Sequence, residues 1–410
     1  MTNERLPERP FDPTAVLPGP PDPWASTDMP SARDGPPWHM TDMIAAEPAL
    51  AGRLLDRLAD PGGAAARLAA AIRSTSARDR PIVIVGCGTS EHGALGAASI
   101  LREAAARAGL PSQPGEAGAA IPLQAFEASL DPPRDGLVIG ISHEGATWAT
   151  NRALEAAAAA GSRTALVTAS ERSPCATIVD PDLIIATGEV DQSWCHTVGY
   201  LSPLLAATAV GAHLDGRLLD ARAVVDLLAA GRAAAGPAEG IAAMLADAQT
   251  LLVVASGADR TAARELVLKV EEATWLPSAM RDLETFLHGH VAATDGSTGL
   301  VLVLVERRQR EARVARARQA LAAAREVGIR VAAIVADVAS AALEPALTPA
   351  GRIVIPESAT LPAAAAALLG SAIPIQLLTE QLAHARGTNP DPIRRNDPRY
   401  LRAAEVSTPE

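Results

Sequence analysis

The sequence predicts an α/β protein built from two doubly wound parallel sheets, each flanked by helices. Three observations carry this expectation. Short, continuous apolar runs alternate with long Ala-rich helical patterns, as they do when strands are buried on both faces. The runs at 82–85 (IVIV) and 251–254 (LLVV) each end in a small-residue turn, Gly86-Cys87-Gly88 and Ala255-Ser256-Gly257. The order then repeats. DGLVIGIS from Asp135 answers TGLVLVLV from Thr298, and each leads through an Ala-rich helix to a third run, TALVTAS or VAAIVAD. The two halves read as copies, with Gly88 and Gly257 in equivalent places.

Residues 1–38 carry ten prolines and little apolar periodicity, so an extended, partly disordered arm is expected there. Order is expected to begin near His39, where HMTDMIAAEPALAGRLL has a helical pattern interrupted by Pro48. The first domain is placed at 39–230 with this entry helix, and the second at 231–410 with a C-terminal tail. The helical stretch around 205–235 separates them. Two stretches lack formal charge, 192–214 and 358–379. Both are Ala-rich and contain proline, and both are read as buried helices, not membrane spans.

The 410 residues are 48% hydrophobic and 20% charged, but only 2% aromatic. A large core is therefore expected to be aliphatic. The net charge of −11 argues against a nucleic-acid partner, since such binding depends on Lys and Arg at phosphates. There is one lysine, Lys269, so any mechanism that needs an amine must use it. Three cysteines, Cys87, Cys175 and Cys195, lack CxxC spacing. With no basic-then-apolar leader pattern, a reduced cytoplasmic setting is expected, with no disulfide, metal or cofactor.

In such sheets, ligands sit beyond the carboxyl ends of the strands. That rule selects the turns 86–90 and 142–147 in the first half, and 256–260 and 306–310 in the second. Gly88, Thr89 and Ser90 offer backbone N–H groups and hydroxyls, as do Ser142, Gly145 and Thr147 in SHEGAT. A glycine-bearing turn into a helix start binds anions such as phosphate. One such turn alone is explained as well by ordinary helix capping. Two adjacent ones favour a ligand. The second-half turn ERRQR lacks this character, so the duplication is expected to be asymmetric. Glu144 raises a question of its own, because a carboxylate beside a phosphate is repulsive unless a cation or proton intervenes.

GCGTSEHGALGAASIL resembles the first signature of the sugar-isomerase (SIS) domain family. GISHEGATWATNRALEAAAAAGSRTALVTAS resembles the second. ELVLKVEEATWLPSAMRDLETFLHGHVAATD is similar to a helix and loop in the isomerase part of glucosamine-6-phosphate synthase. ARGTNPDPIRRNDPRY and MTDMIAAEP resemble the tail and entry helix of double-SIS proteins. The resemblance runs from about Trp38 to the end. It implies two SIS domains and a homodimer with sites shared between chains, binding an amino- or ketosugar phosphate. No glutaminase domain is expected. By position, Thr89, Ser90, Ser142, His143 and Thr147 would line the phosphate end. His288 would assist ring opening, a step that needs a proton on the ring oxygen. Glu272 matches a family carboxylate.

This sequence departs from the family in five places. Glu144 stands where serine is usual, and Ala279 where the synthase branch has its proton-shuttling glutamate. His290 replaces the proline after His-Gly, Cys195-His196 replaces a Thr-Lys pair, and no lysine follows Lys269. An isomerase still needs a base next to the carbonyl. Glu284, four residues before His288, is the first substitute, unless it only caps a turn. Glu272 is the second, seven residues before Ala279 and so on the same helix face, unless it pairs with surface arginines. Lys269 lies one turn after Glu265 and reads as an ordinary helix ion pair. His196 is either a site residue or a satisfied core histidine. His92 and Cys87 read as packing residues.

The expected function is that of a sugar isomerase or deaminase acting by ring opening and proton transfer on an amino- or ketosugar, in the first instance a phosphate. Two alternatives stay open. One is a regulator that kept the pocket and lost the chemistry. The other is an enzyme on a non-phosphorylated, amine-bearing substrate that Glu144 contacts directly.

Overall fold

The computed structural model describes residues 10–20 and 33–407. The first sheet contains β1 (Ile82–Gly86), β2 (Ala120–Gln124), β3 (Leu137–Ile141), β4 (Arg163–Thr168) and β5 (Ile184–Ala186), in the order β2-β1-β3-β4-β5. The second contains β6 (Thr250–Ala255), β7 (Ser278–Asp282), β8 (Thr298–Leu304), β9 (Arg330–Ala336) and β10 (Gly351–Ile355), in the order β10-β9-β8-β6-β7. Read from the other edge, that is the same order. Every pairing is parallel, and the two switch points, where the order reverses, lie between β1 and β3 and between β6 and β8. The repeated apolar runs are thus a repeated topology.

Both uncharged stretches lie within or overlap buried helices, Val198–Asp215 and Ala363–Ala385. Among the described residues, Ala363–Ala385 is the one helix long and apolar enough to cross a membrane, and it is wholly buried inside the protein. It packs against His39–Leu58, Thr89–Arg107 and Val198–Asp215 on one side of the sequence, and against Ala221–Gly231 and Asp259–Thr274 on the other. Aliphatic burial on all faces explains why it carries no charge until Glu380.

The tail ties back to the start of the fold. The Asp391 carboxylate accepts from the His39 and Met40 N–H groups at 2.8 and 3.0 Å, satisfying the open N-terminus of the first helix. Part of the arm is also anchored. Leu17 is buried, its N–H donates to Glu189 Oε2 at 2.9 Å, and Val190 N–H donates to the Pro18 carbonyl at 2.9 Å. The rest of the proline-rich segment, 1–9 and 21–32, lies outside the described residues.

One expectation is overturned here. Glu272 and Ala279 do not share a helix face. The helix Asp259–Thr274 stops at Trp275, which takes a left-handed φ of 58°, and Ala279 lies on β7 at the edge of the second sheet. Pro277 follows two residues after the cap, and proline cannot continue a helix.

Candidate functional site

The turns after β1 and β3 meet at the first switch point, and their glycines are sterically required. A Cβ on Gly86 would lie 2.3 Å from the Ser90 carbonyl oxygen. Gly145 has a φ of 69°, and a Cβ there would lie 2.2 Å from Ser173 Oγ. Gly88 also has a positive φ, 56°, immediately before the helix Thr89–Arg107. The second turn is pinned from β4 and the segment beyond it. Ala169 N–H donates to the His143 carbonyl, and Cys175 N–H to the Gly145 carbonyl, both at 2.8 Å. Thr147 stands at the N-cap of the helix Trp148–Ala159 without a side-chain bond, so its hydroxyl does not occupy the N–H groups of that helix start. Ser142 Oγ is buried without a hydrogen-bond partner among the described residues. Thr89 is buried, Ser90 half-buried and Thr147 exposed; Glu144 is half-buried and engaged. Cys87, beside them, accepts weak hydrogen bonds from Gln124 and Thr150, consistent with packing.

The second half shows what happened to the equivalent place. Asp259 follows Gly257 by two residues, as Ser90 follows Gly88. Its carboxylate is fully buried and accepts from Val305 N–H at 2.8 Å and Glu306 N–H at 2.9 Å. Burial lifts its pKa to about 7, against the pull of those two N–H donors. The strand-end donors of the second half are therefore taken by a carboxylate of the chain itself. The two switch points thus differ: Asp259 occupies the donors of the second, whereas Ser142 Oγ at the first has no partner among the described residues.

His143 and His196 pack edge-on with ring centroids 5.3 Å apart. Asp191 N–H donates to His143 Nε2 at 2.9 Å, which fixes that nitrogen as an acceptor. Burial depresses His143 to about 4, helped by His196, and depresses His196 to about 3, helped by Lys269. Both rings are neutral at pH 7. The loop that carries His196 is organised by Asp191, whose carboxylate accepts from Ser193, Thr197 and Gly199 N–H at 3.2, 2.7 and 3.1 Å. The unfolded chain binds protons on these rings near pH 6.5 and the folded chain only near 4 and below. Their stabilising contribution is thus present above pH 6.5 and lost as pH falls toward 4. Relative to His143→Gln, which retains an acceptor for Asp191, the wild-type protein is expected to lose about 3 kcal/mol more between pH 7 and pH 4. Urea unfolding at a series of pH values measures this; parallel curves for the two proteins would refute it.

Behind the first turn runs a buried chain of charges. Glu265 and Lys269 have 0% exposure. Lys269 Nζ is 3.9 Å from Glu265 and makes a short contact to Glu272. Glu265 in turn accepts from Thr89 Oγ1 at 3.3 Å and meets His92 Nδ1 at 2.6 Å. One expectation is refined and two change. Lys269–Glu265 is the i,i+4 helix pair that the spacing implies, but both side chains are buried, at the contact with the helix Thr89–Arg107. Glu272 pairs with this lysine, not with surface arginines, and burial raises its pKa. His92 bonds a carboxylate instead of simply packing. The spacing of Glu265 and Lys269 was visible in the sequence; their burial was not. The Cys195 thiol lies 3.9 Å from the Lys269 carbonyl, so this chain also touches the His196 loop.

His288 and Glu284 lie elsewhere. They bond each other at 2.6 Å, and Arg316 holds Glu284 at 2.6 Å, with side chains 72% and 61% exposed. Arg316 first, and then His288, hold the Glu284 carboxyl below its usual pKa. Among the described residues, the side chains that they bond come from the second half. His290 is exposed and accepts from Arg281. A cavity of about 820 Å³ lies between the arm and the tail, with Arg33, Trp38, Trp194, His384 and Arg395 among its walls. Arg395 stacks on Trp194 at 4.4 Å, next to the His196 loop. Among the described residues no group of three His, Cys, Asp or Glu side chains is placed to hold a metal ion.

This architecture, two five-stranded parallel sheets with the same strand order and glycine turns at the switch points, is that of double-SIS sugar isomerases. Solved structures bear this out at the level of fold. The chain superposes on the C-terminal domain of glucosamine-fructose-6-phosphate aminotransferase from Francisella tularensis with a TM-score of 0.73 at 18% identity, covering 88% of this chain and 99% of that one. It superposes on tagatose-6-phosphate ketose/aldose isomerase from Escherichia coli with a TM-score of 0.67 at 18% identity, covering 89% and 98%. Glucosamine-6-phosphate deaminase from Thermotoga maritima gives 0.58 at 15% identity, covering 86% and 97%. No protein-family model matches the sequence, and no curated protein matches it.

Proposed function

We propose that the protein is a sugar isomerase or deaminase acting on an amino- or ketosugar phosphate. The observation that carries this reading is the contrast between the two switch points. The second is closed by Asp259, whereas the first presents Ser90, the unpartnered Ser142 hydroxyl and an uncapped helix start. A phosphate suits those donors. Glu272 is assigned as the base. It is half-buried, its pKa is raised, and its partner Lys269 belongs to the chain of charges that reaches Thr89. Glu284 is a weaker candidate, because Arg316 stabilises its ionised form. His288 is assigned to ring opening. In this reading it reaches the cradle of a second copy of the chain, since its own contacts lie on the surface of the second half.

The test is a panel of hexose, ketohexose and hexosamine 6-phosphates, with binding read by calorimetry and conversion by proton NMR. Binding of at least one, with conversion abolished in Glu272→Gln, is expected. Binding without conversion by the wild-type protein would identify a regulator instead. Binding only of unphosphorylated amines would remove the phosphate from the reading.

A further inference from the structure

We propose that Glu265 is a positioning residue that makes Thr89 an acceptor, so that the ligand must bring a hydrogen-bond donor to this part of the cradle. The inference rests on the sugar-phosphate reading above and narrows its substrate class. A threonine hydroxyl has one proton and two lone pairs. In this structure the proton is directed at Glu265 Oε1, 3.3 Å away. The carboxylate is held from two other sides, by His92 Nδ1 on Oε2 at 2.6 Å and by the Lys269 ammonium 3.9 Å from Oε1. A carboxylate facing an ammonium is an acceptor only, so it cannot return a proton to Thr89.

The consequence follows from position. Thr89 is the first residue of the helix that leaves the β1 turn, next to Ser90, and Glu265 comes from the helix Asp259–Thr274 of the other half. The two helices pack together, and both Thr89 and Glu265 are buried. The carboxylate therefore cannot be replaced by water without opening the interdomain contact. What Thr89 can still offer a ligand is oxygen lone pairs. Phosphate oxygens are acceptors and gain nothing from them. A sugar ammonium or hydroxyl does. The anion end of the ligand is thus left to Ser142 and the turn that follows it, and the donor end to Thr89. An amino- or hydroxyl-bearing carbon close to the reacting end of a sugar phosphate meets both demands.

The experiment compares two ligands that differ at one carbon, glucosamine 6-phosphate and 2-deoxyglucose 6-phosphate, by isothermal titration calorimetry. The wild-type protein is expected to prefer the aminosugar by about tenfold or more, the range for one hydrogen bond to a charged group. Thr89→Val should erase that preference while leaving the affinity for the deoxy sugar within about twofold, and Thr89→Ser, which keeps the hydroxyl, should retain it. Glu265→Gln should reduce the preference in the wild-type background and have no further effect on it in Thr89→Val, because the two act through one hydroxyl. A merely structural role of Glu265 would weaken both ligands alike in both backgrounds, and that result overturns the proposal. So does a Thr89→Val protein that discriminates as the wild type does. If the wild-type protein binds neither of these two but binds another sugar phosphate of the panel, this inference fails alone; if it binds no sugar phosphate at all, the sugar-phosphate reading fails with it. Those outcomes are distinct.

Discussion

Replacing Lys269 by methionine is expected to destabilise the protein by about 3–5 kcal/mol, the usual cost of breaking a buried ion pair from one side. Lys269 has no exposed surface. Burial alone would pull its pKa down, but Glu272 and Glu265 reverse that, and the net shift is upward. The ammonium therefore stays charged, with carboxylates on both sides. Without it, Glu265 and Glu272 face each other across a site from which water is largely excluded, and each must be desolvated without a cation. Burial already raises Glu272, and in the variant nothing offsets that rise. Lys269→Arg, which keeps the charge but needs more room, should lose less. Urea unfolding monitored by circular dichroism gives both values. A loss below about 1 kcal/mol for the methionine variant, the scale of an exposed pair, would show that the charges reach solvent.

That pair also shows where sequence reasoning stops. Glu265 and Lys269 are four residues apart on a helix, and the spacing correctly says that they face each other. It says nothing of the surface above them. Only the packing of Ala363–Ala385 and Thr89–Arg107 on Asp259–Thr274 turns an ordinary helix pair into a buried one, and those contacts join elements far apart in the sequence. Asp191 and Asp391 escaped notice for the same reason. Each stands at the edge of an uncharged or irregular stretch, and each works by accepting backbone N–H groups, an act that leaves no periodic signal.

The legible parts were those in which one element suffers a strong local constraint. β1, β3 and β4 are central strands buried on both faces, so each carries a continuous apolar run, IVIV, LVIGI and ALV. β2, β7 and β10 are sheet edges with half-buried or exposed positions, and AIPLQ, SAMRD and GRIVI have no comparable pattern. Without a strand signal in SAMRD, Ala279 reads as a continuation of the helix of Glu272. The glycine turns were legible because a side chain at Gly86 or Gly145 has nowhere to go. The closure of the second switch point was also written in the sequence, as Asp259 in the place of Ser90. It could be recognised only once β6 and β8 were known to be neighbours.

The exposed position of His288 makes the assembly itself testable. If a site takes its cradle from one chain and its imidazole from another, Ser142→Ala and His288→Ala damage opposite sides of it. Each variant alone should be nearly inactive on whichever sugar phosphate the wild-type protein converts. In a two-fold dimer made from one of each, one site carries both substitutions and the other carries neither. Unfolding and refolding an equal mixture by dilution from urea makes half of the dimers mixed, each with one intact site. Activity should then return to about a quarter of the wild-type value, because a two-fold operator pairs each cradle with the other chain's loop. Recovery well below that, with dimers confirmed by sedimentation, would mean that His288 acts within its own chain, whereas a His288→Ala protein that stays active by itself would remove His288 from the chemistry. In that second case the ring-opening acid would have to be sought nearer the cradle. The neutral His143 and His196 are poorly suited to that role, since with pKa values of about 4 and 3 neither carries a proton to give at pH 7.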